Sequence, residues 1–215
     1  MAMSNKIAEG VKIVAEAESY HHGFLPLAAS YCRCLEIVDI VDGMVNSRMN
    51  VSPGVIVQAM VLDTLSGRSP LYRLEEFFEH EDIELLLGRD MAAHKLNDTN
   101  AGRALDAIFN AGPSKILTEI GVRAAEIFAL NAKVISYDTT STSVWGDYRR
   151  CEDERENEAP KITYGHSKDK RPDLKQFMTE LLCVERGIPI FGRTLDGNSS
   201  DKTSNNKMLS RISGT

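Results

Sequence analysis

Two groups of residues have the composition to do chemistry. The first is a single carboxylate, Asp138, inside Lys133–Tyr148 (KVISYDTTSTSVWGDY). That run is rich in β-branched and aromatic residues and has no Gly or Pro before Gly146, which predicts a strand. Alternation would place Val134, Ser136 and Asp138 on one face and Ile135 and Tyr137 on the other, so a charge takes a position where a core strand buries something apolar. Such a charge must be compensated or must hold a ligand. The second group is cationic: Gly165–Lys175 (GHSKDKRPDLK) gathers Lys168, Lys170, Arg171 and Lys175. A cluster of this kind suits contact with nucleic-acid phosphates, and it equally suits a solvated loop. Asp196 and Asp201 belong to DGNSSD, which has turn and N-cap composition, so local hydrogen bonding is expected of them. His21-His22 and His94 have no partner pattern. Cys32, Cys34, Cys151 and Cys183 form no CxxC pair and no zinc spacing, which points to free thiols in a reducing compartment.

The elements that must position these residues change character along the chain. With 215 residues and 42% hydrophobic content the chain can bury a full core, and its net charge of −6 argues against a chain-wide attraction to nucleic acid while allowing a local basic patch. No apolar run reaches membrane-spanning length and no secretory leader is evident, so a cytoplasmic location without membrane partners is expected. Residues 1–20 form a lead-in without clear period. Leu25–Val41 predicts one helix with Leu27, Tyr31, Leu35, Val38 and Val41 inward. Ser52 and Pro53 open a second helix, with Val55, Ile56, Ala59, Met60, Leu62 and Leu65 as its apolar face and Gly67 beyond its end. Ser69 and Pro70 open a third, short helix with Leu71, Leu74, Phe77 and Phe78 inward. This pair is compatible with a DNA-reading helix-turn-helix, in which Arg68 and Arg73 would reach a groove or backbone, and with any αα-hairpin. Ile83–Leu87 gives further helix ending at Gly88, Asn97 or Asp98 caps Thr99–Ala111, and Gly112-Pro113 leads into Pro113–Asn131, whose apolar residues cover nearly two faces. Beyond the Asp138 strand, the acidic stretch Cys151–Pro160 reads as a connector and Ile162–Tyr164 as a short strand. Phe177–Val184 and Ile188–Leu195 read as strands joined by Glu185-Arg186-Gly187. Asp201 begins a polar, helix-like segment.

Four motifs in order now carry a resemblance: Leu96–Asp106 (LNDTNAGRALD), Tyr137–Ser141 (YDTTS), Tyr164–Gln176 (YGHSKDKRPDLKQ) and Gly197–Asp201 (GNSSD). Together they resemble DDE-class bacterial insertion-sequence transposases, over about Leu25 to Ile212. The resemblance implies an α+β chain: an all-α N-terminal domain, residues 20–131, followed by an incomplete ribonuclease-H-like mixed α/β core, residues 132–215. In that family three carboxylates hold divalent metal, and two hard cations about 3.5–4 Å apart activate the nucleophile and stabilise the leaving oxygen. Asp138 corresponds to the first carboxylate and is the expected catalytic and metal-binding residue. The other two are expected beyond Thr215, so this chain alone should bind Mg²⁺ weakly or not at all and should be inactive. His166 stands where relatives commonly carry Tyr. The implied partners are the double-stranded DNA of mobile-element ends, a second copy of the chain, and full-length transposase. The alternative is a catalytically dead DNA-binding or transposase-inhibiting product.

Overall fold

A computed structural model describes residues 11–12, 22–148, 159–166, 171–200 and 208. Among these the chain is mixed α+β, with helices α1 (Leu25–Cys34), α2 (Ile37–Met44), α3 (Pro53–Ser66), α4 (Leu74–Phe78), α5 (Ile83–Leu87), α6 (Asp98–Ala111) and α7 (Pro113–Ile127) and strands β1 (Ser136–Val144), β2 (Lys175–Cys183) and β3 (Pro189–Leu195). No helix among the described residues is long and apolar enough to cross a membrane. The chain divides into two compact units. One holds described residues through Cys34 together with Ser47–Leu105; the other holds Leu35–Asn46 together with described residues from Asp106 onward.

The first unit is helical. Its core joins Leu25, Ala29 and Cys32 of α1 to Val55, Ile56, Ala59 and Leu62 of α3, Leu74 and Phe78 of α4, and Leu86 and Leu87 of α5. Each large apolar side chain buried this way contributes about 1.5–3 kcal/mol. Two polar side chains share that core. Gln58 is buried and donates from Nε2 to the carbonyl of Leu86 at 2.7 Å, which ties α3 to α5. Asp63 organises the following turn: its carbonyl accepts from Gly67 and Arg68 at 3.1 and 2.9 Å, and its carboxylate accepts from the Ser69 amide at 3.3 Å.

Local punctuation matches the sequence closely. Ser52 stands at the N-cap position, although its hydroxyl makes no capping hydrogen bond, with Pro53 at the helix start; Gly67 closes α3, Gly88 closes α5 in a left-handed conformation, and Pro113 opens α7. Asn97 caps α6 by accepting from the Asn100 amide at 2.9 Å. The expected single helix Leu25–Val41 is instead two, broken where Glu36 adopts φ 56°. Its expected inward stripe fails in the first half, where Leu27 and Tyr31 are 62% and 52% exposed, and holds in the second, where Leu35 and Val38 are half-buried and Val41 is buried. Small Ala29 and Cys32, in helical register with Leu25, let the packed face come close instead. The segment after Pro70 starts as a 3₁₀ turn, Leu71–Arg73, before α4.

In the second unit α7 packs on β3 and α2 packs on α7. A Cβ at Gly121 would stand 2.7 Å from Ile190 Cα and 2.8 Å from the Pro189 carbonyl, so helix and strand meet at backbone distance. The expectation of nearly two buried faces on α7 is corrected: Ile116, Gly121 and Ala124 are buried, whereas Val122 and Phe128 face solvent. The strands form an antiparallel sheet in the order β1-β2-β3. Glu185–Gly187 connects β2 and β3, with Arg186 and Gly187 both at positive φ.

Candidate functional site

The Asp138 run becomes a strand from Ser136, so Val134 and Ile135 precede it and are both exposed. Both faces of β1 are rich in hydroxyls. Ser136, Asp138, Thr140 and Thr142 occupy the exposed face, while Thr139 and Ser141 are buried on the other. The carboxylate therefore stands on the open face of a regular strand, opposite Leu181 of β2. It borders a concavity of about 430 Å³ together with Thr140, Thr142, Thr179 and the side chains of Leu181 and Cys183.

A pair of Mg²⁺ ions requires several oxygen ligands with at least two carboxylates between them. Among the described residues no group of three or more His, Cys, Asp or Glu is arranged to hold a metal, and the groups around Asp138 are hydroxyl, aliphatic and thiol. This donor set does not fit a two-metal centre.

The second acid of the sheet has the opposite environment. Glu180 is 0% exposed on the face away from Asp138; it accepts from Tyr137 Oη at 2.5 Å and is ion-paired with Arg193. Thr139, Glu180 and Arg193 are cross-strand neighbours in a single row. Sequence reasoning did not single out this group. The available signal was parity: Met178, Glu180 and Leu182 share a strand face, and an acid between two apolar residues on that face needs a cation from the adjoining strand.

Of the cationic cluster, Lys168 and Lys170 lie outside the described residues, as do His21 and most of the acidic connector. Arg171 donates to Asp173 through two hydrogen bonds of 2.8 and 2.6 Å and lies over the Trp145 ring, 4.9 Å from its centroid. The hydrogen bond from Arg171 holds the Asp173 carboxyl below the usual carboxylate range. Lys175 donates to the Asp147 carbonyl. Lys175 pairs with Val144, whereas Asp138 pairs with Leu181. Six residues of strand, about 20 Å at roughly 3.4 Å per residue, thus separate the described cations from Asp138 along β1.

Two of the motifs converge at the Lys175 end. Gln176 donates from Nε2 to the Gly197 carbonyl at 2.7 Å and forms an isolated bridge with Thr163. Asp196 opens a turn through its carbonyl, which accepts from the Ser199 amide at 2.9 Å, but its carboxylate accepts from the Lys161 amide at 2.8 Å, a tertiary bond in place of the expected local one; Asp201 lies outside the described residues. In the helical unit, Arg73 pairs with Glu76 at 3.3 Å and Arg68 is exposed with φ 56°. The five-residue α4 that follows carries Glu75 and Glu76 in its first turn, a poor surface for a phosphate-lined groove.

Residues 17–122 match a family model described as a domain of unknown function (DUF4277). The match spans α1 to α6 and ends inside α7, so β1 and Asp138 lie outside it. No curated protein and no solved structure matches the chain.

Proposed function

We propose that the chain is an N-terminal portion of a DDE transposase, a metal-dependent DNA nucleotidyltransferase that cuts and rejoins DNA at the ends of its own element. The observation that carries this reading is the placement of Asp138. It lies in the YDTTS motif, on the exposed face of the first strand after a helical region, and that strand opens an antiparallel sheet. A regular strand is a rigid support for a carboxylate that must keep its position relative to DNA. In this reading the sheet is the opening of a ribonuclease-H-like core, Asp138 is the first of three metal-binding acids, and Mg²⁺ is the cofactor of the complete enzyme.

The test begins with the nucleotide sequence downstream of codon 215. A continued or frameshifted reading frame with two further acids, on a strand and a later helix, is expected. When that longer product is expressed, Mg²⁺-dependent nicking at element ends should fall to background in Asp138→Asn while duplex binding is kept. Undiminished nicking by that variant would remove Asp138 from the chemistry. A second reading, a DNA-binding product that does not cut, is favoured by the single-carboxylate surroundings of Asp138 among the described residues. Unrelated downstream sequence combined with duplex binding would select it.

A further inference from the structure

A basic concavity in the helical unit was not singled out by sequence. It has a volume of about 440 Å³ and is lined by Arg48 and Asn50 from the loop before α3, His94 and Lys95 from the turn before α6, and Asn100 and Arg103 from α6 itself. Three permanent cations and a histidine meet there, no carboxylate lines it, and all four basic side chains are exposed. Arg48, Lys95 and Arg103 make no ion pair among the described residues, in contrast to Arg73 and Arg123. In a chain of net charge −6, a concave surface of one sign is a local reversal of field.

The LNDTNAGRALD motif builds this surface. Asn97 caps α6 and donates from Nδ2 to the His94 carbonyl at 2.8 Å, and Asn100 donates from Nδ2 to the Lys95 carbonyl at 2.8 Å. These bonds fix the Ala93–Leu96 turn against the start of α6. Buried Ala101 and Ala104 turn one side of the helix inward, which leaves Arg103 facing out, one turn beyond Asn100.

We infer that this concavity is a binding site for the phosphate backbone of duplex DNA, with Arg48, Lys95 and Arg103 as its phosphate-contacting cations. The choice of polymer rests on the proposed transposase reading. A free small anion fits less well: the amides of Thr99 and Asn100 are already taken by Asp98 and Asn97, and every cation is exposed rather than enclosed. An open arc of separate cations suits phosphates repeated along a strand. The site reads charge and position rather than sequence.

The experiment titrates the whole purified chain into labelled element-end and scrambled duplexes from low to physiological salt. Each phosphate contact contributes a slope of about 0.9 in log affinity against log salt, so Arg48→Ala/Lys95→Ala/Arg103→Ala should flatten the slope by roughly two to three and weaken both duplexes equally. Circular dichroism of the variant should be unchanged. Arg48→Lys/Arg103→Lys, which keeps the charge, should retain most of the slope. Wild-type binding with an unchanged slope in the triple-alanine variant would overturn this site and leave DNA binding by the chain intact. Absence of any salt-dependent duplex binding would overturn both the site and the transposase reading. Displacement of the duplex by inorganic phosphate at constant ionic strength would reassign the concavity to a free anion. Preference for duplex RNA would likewise reject the DNA assignment.

Discussion

Asp138 and Glu180 lie on neighbouring strands of one sheet and differ in almost every physical respect. Asp138 is exposed on a face of hydroxyls, whereas Glu180 is wholly buried with both oxygens engaged. Removing one member of a fully buried ion pair costs about 3–5 kcal/mol, and because the Arg193 side chain is 28% exposed that range is an upper bound here. Glu180→Ala should therefore lower the stability of the sheet-containing unit by up to about that amount, while Asp138→Ala should cost no more than roughly 1 kcal/mol. Denaturant midpoints of the two variants measure the difference; equal losses would mean that Asp138 is a structural residue. The sequence revealed the alternation of β1 but not which side is covered, because Thr139 and Ser141 are as polar as Thr140 and Thr142. Burial was set by the partners of Glu180, Tyr137 and Arg193, which lie 43 and 13 residues from it along the chain.

At the level of elements, capping chemistry is local and was therefore legible: Pro53, Gly88, Asn97 and Pro113 mark real helix ends. Packing faces depend on distant neighbours and were read less well, as α1 and α7 illustrate. Gly121 shows what the helical pattern leaves out. Helix propensity alone would make Gly121→Ala stabilising by about 1 kcal/mol. The added Cβ would meet the β3 backbone at 2.7 and 2.8 Å, where no flexible side chain can give way, and overpacking costs about 1–3 kcal/mol. The net effect should be destabilising. Gly102→Ala in α6 is the matched control, since its Cβ would meet nothing within 4 Å, and it should stabilise by about 0.5–1 kcal/mol. Thermal melts of both variants decide the point. Stabilisation by both changes would mean that helix α7 and strand β3 can move apart to admit the methyl group.

For the molecule as a whole, holding DNA and cutting it require different numbers of residues. Holding requires cations facing phosphates, and an acidic chain can supply them locally, although its net charge of −6 makes low salt the condition in which binding is strongest. Cutting by two metal ions requires several carboxylates at one place. Asp138 supplies one. Glu180 points to the other face and is committed to Arg193 and Tyr137, and Asp196 is committed to the Lys161 amide. The strand pattern and the four-motif resemblance both pointed to Asp138, but neither motif order nor composition could show that Glu180 and Asp196 were already engaged. The purified chain should therefore retain duplex DNA in Mg²⁺ or Mn²⁺ without nicking or joining it. Gel analysis of end-labelled duplex after prolonged incubation checks this, with Asp138→Ala as the control. Specific nicks that vanish in that variant would contradict the expectation and require replacement acids within residues 139–215; Asp196 and Asp201 would then be the first to substitute.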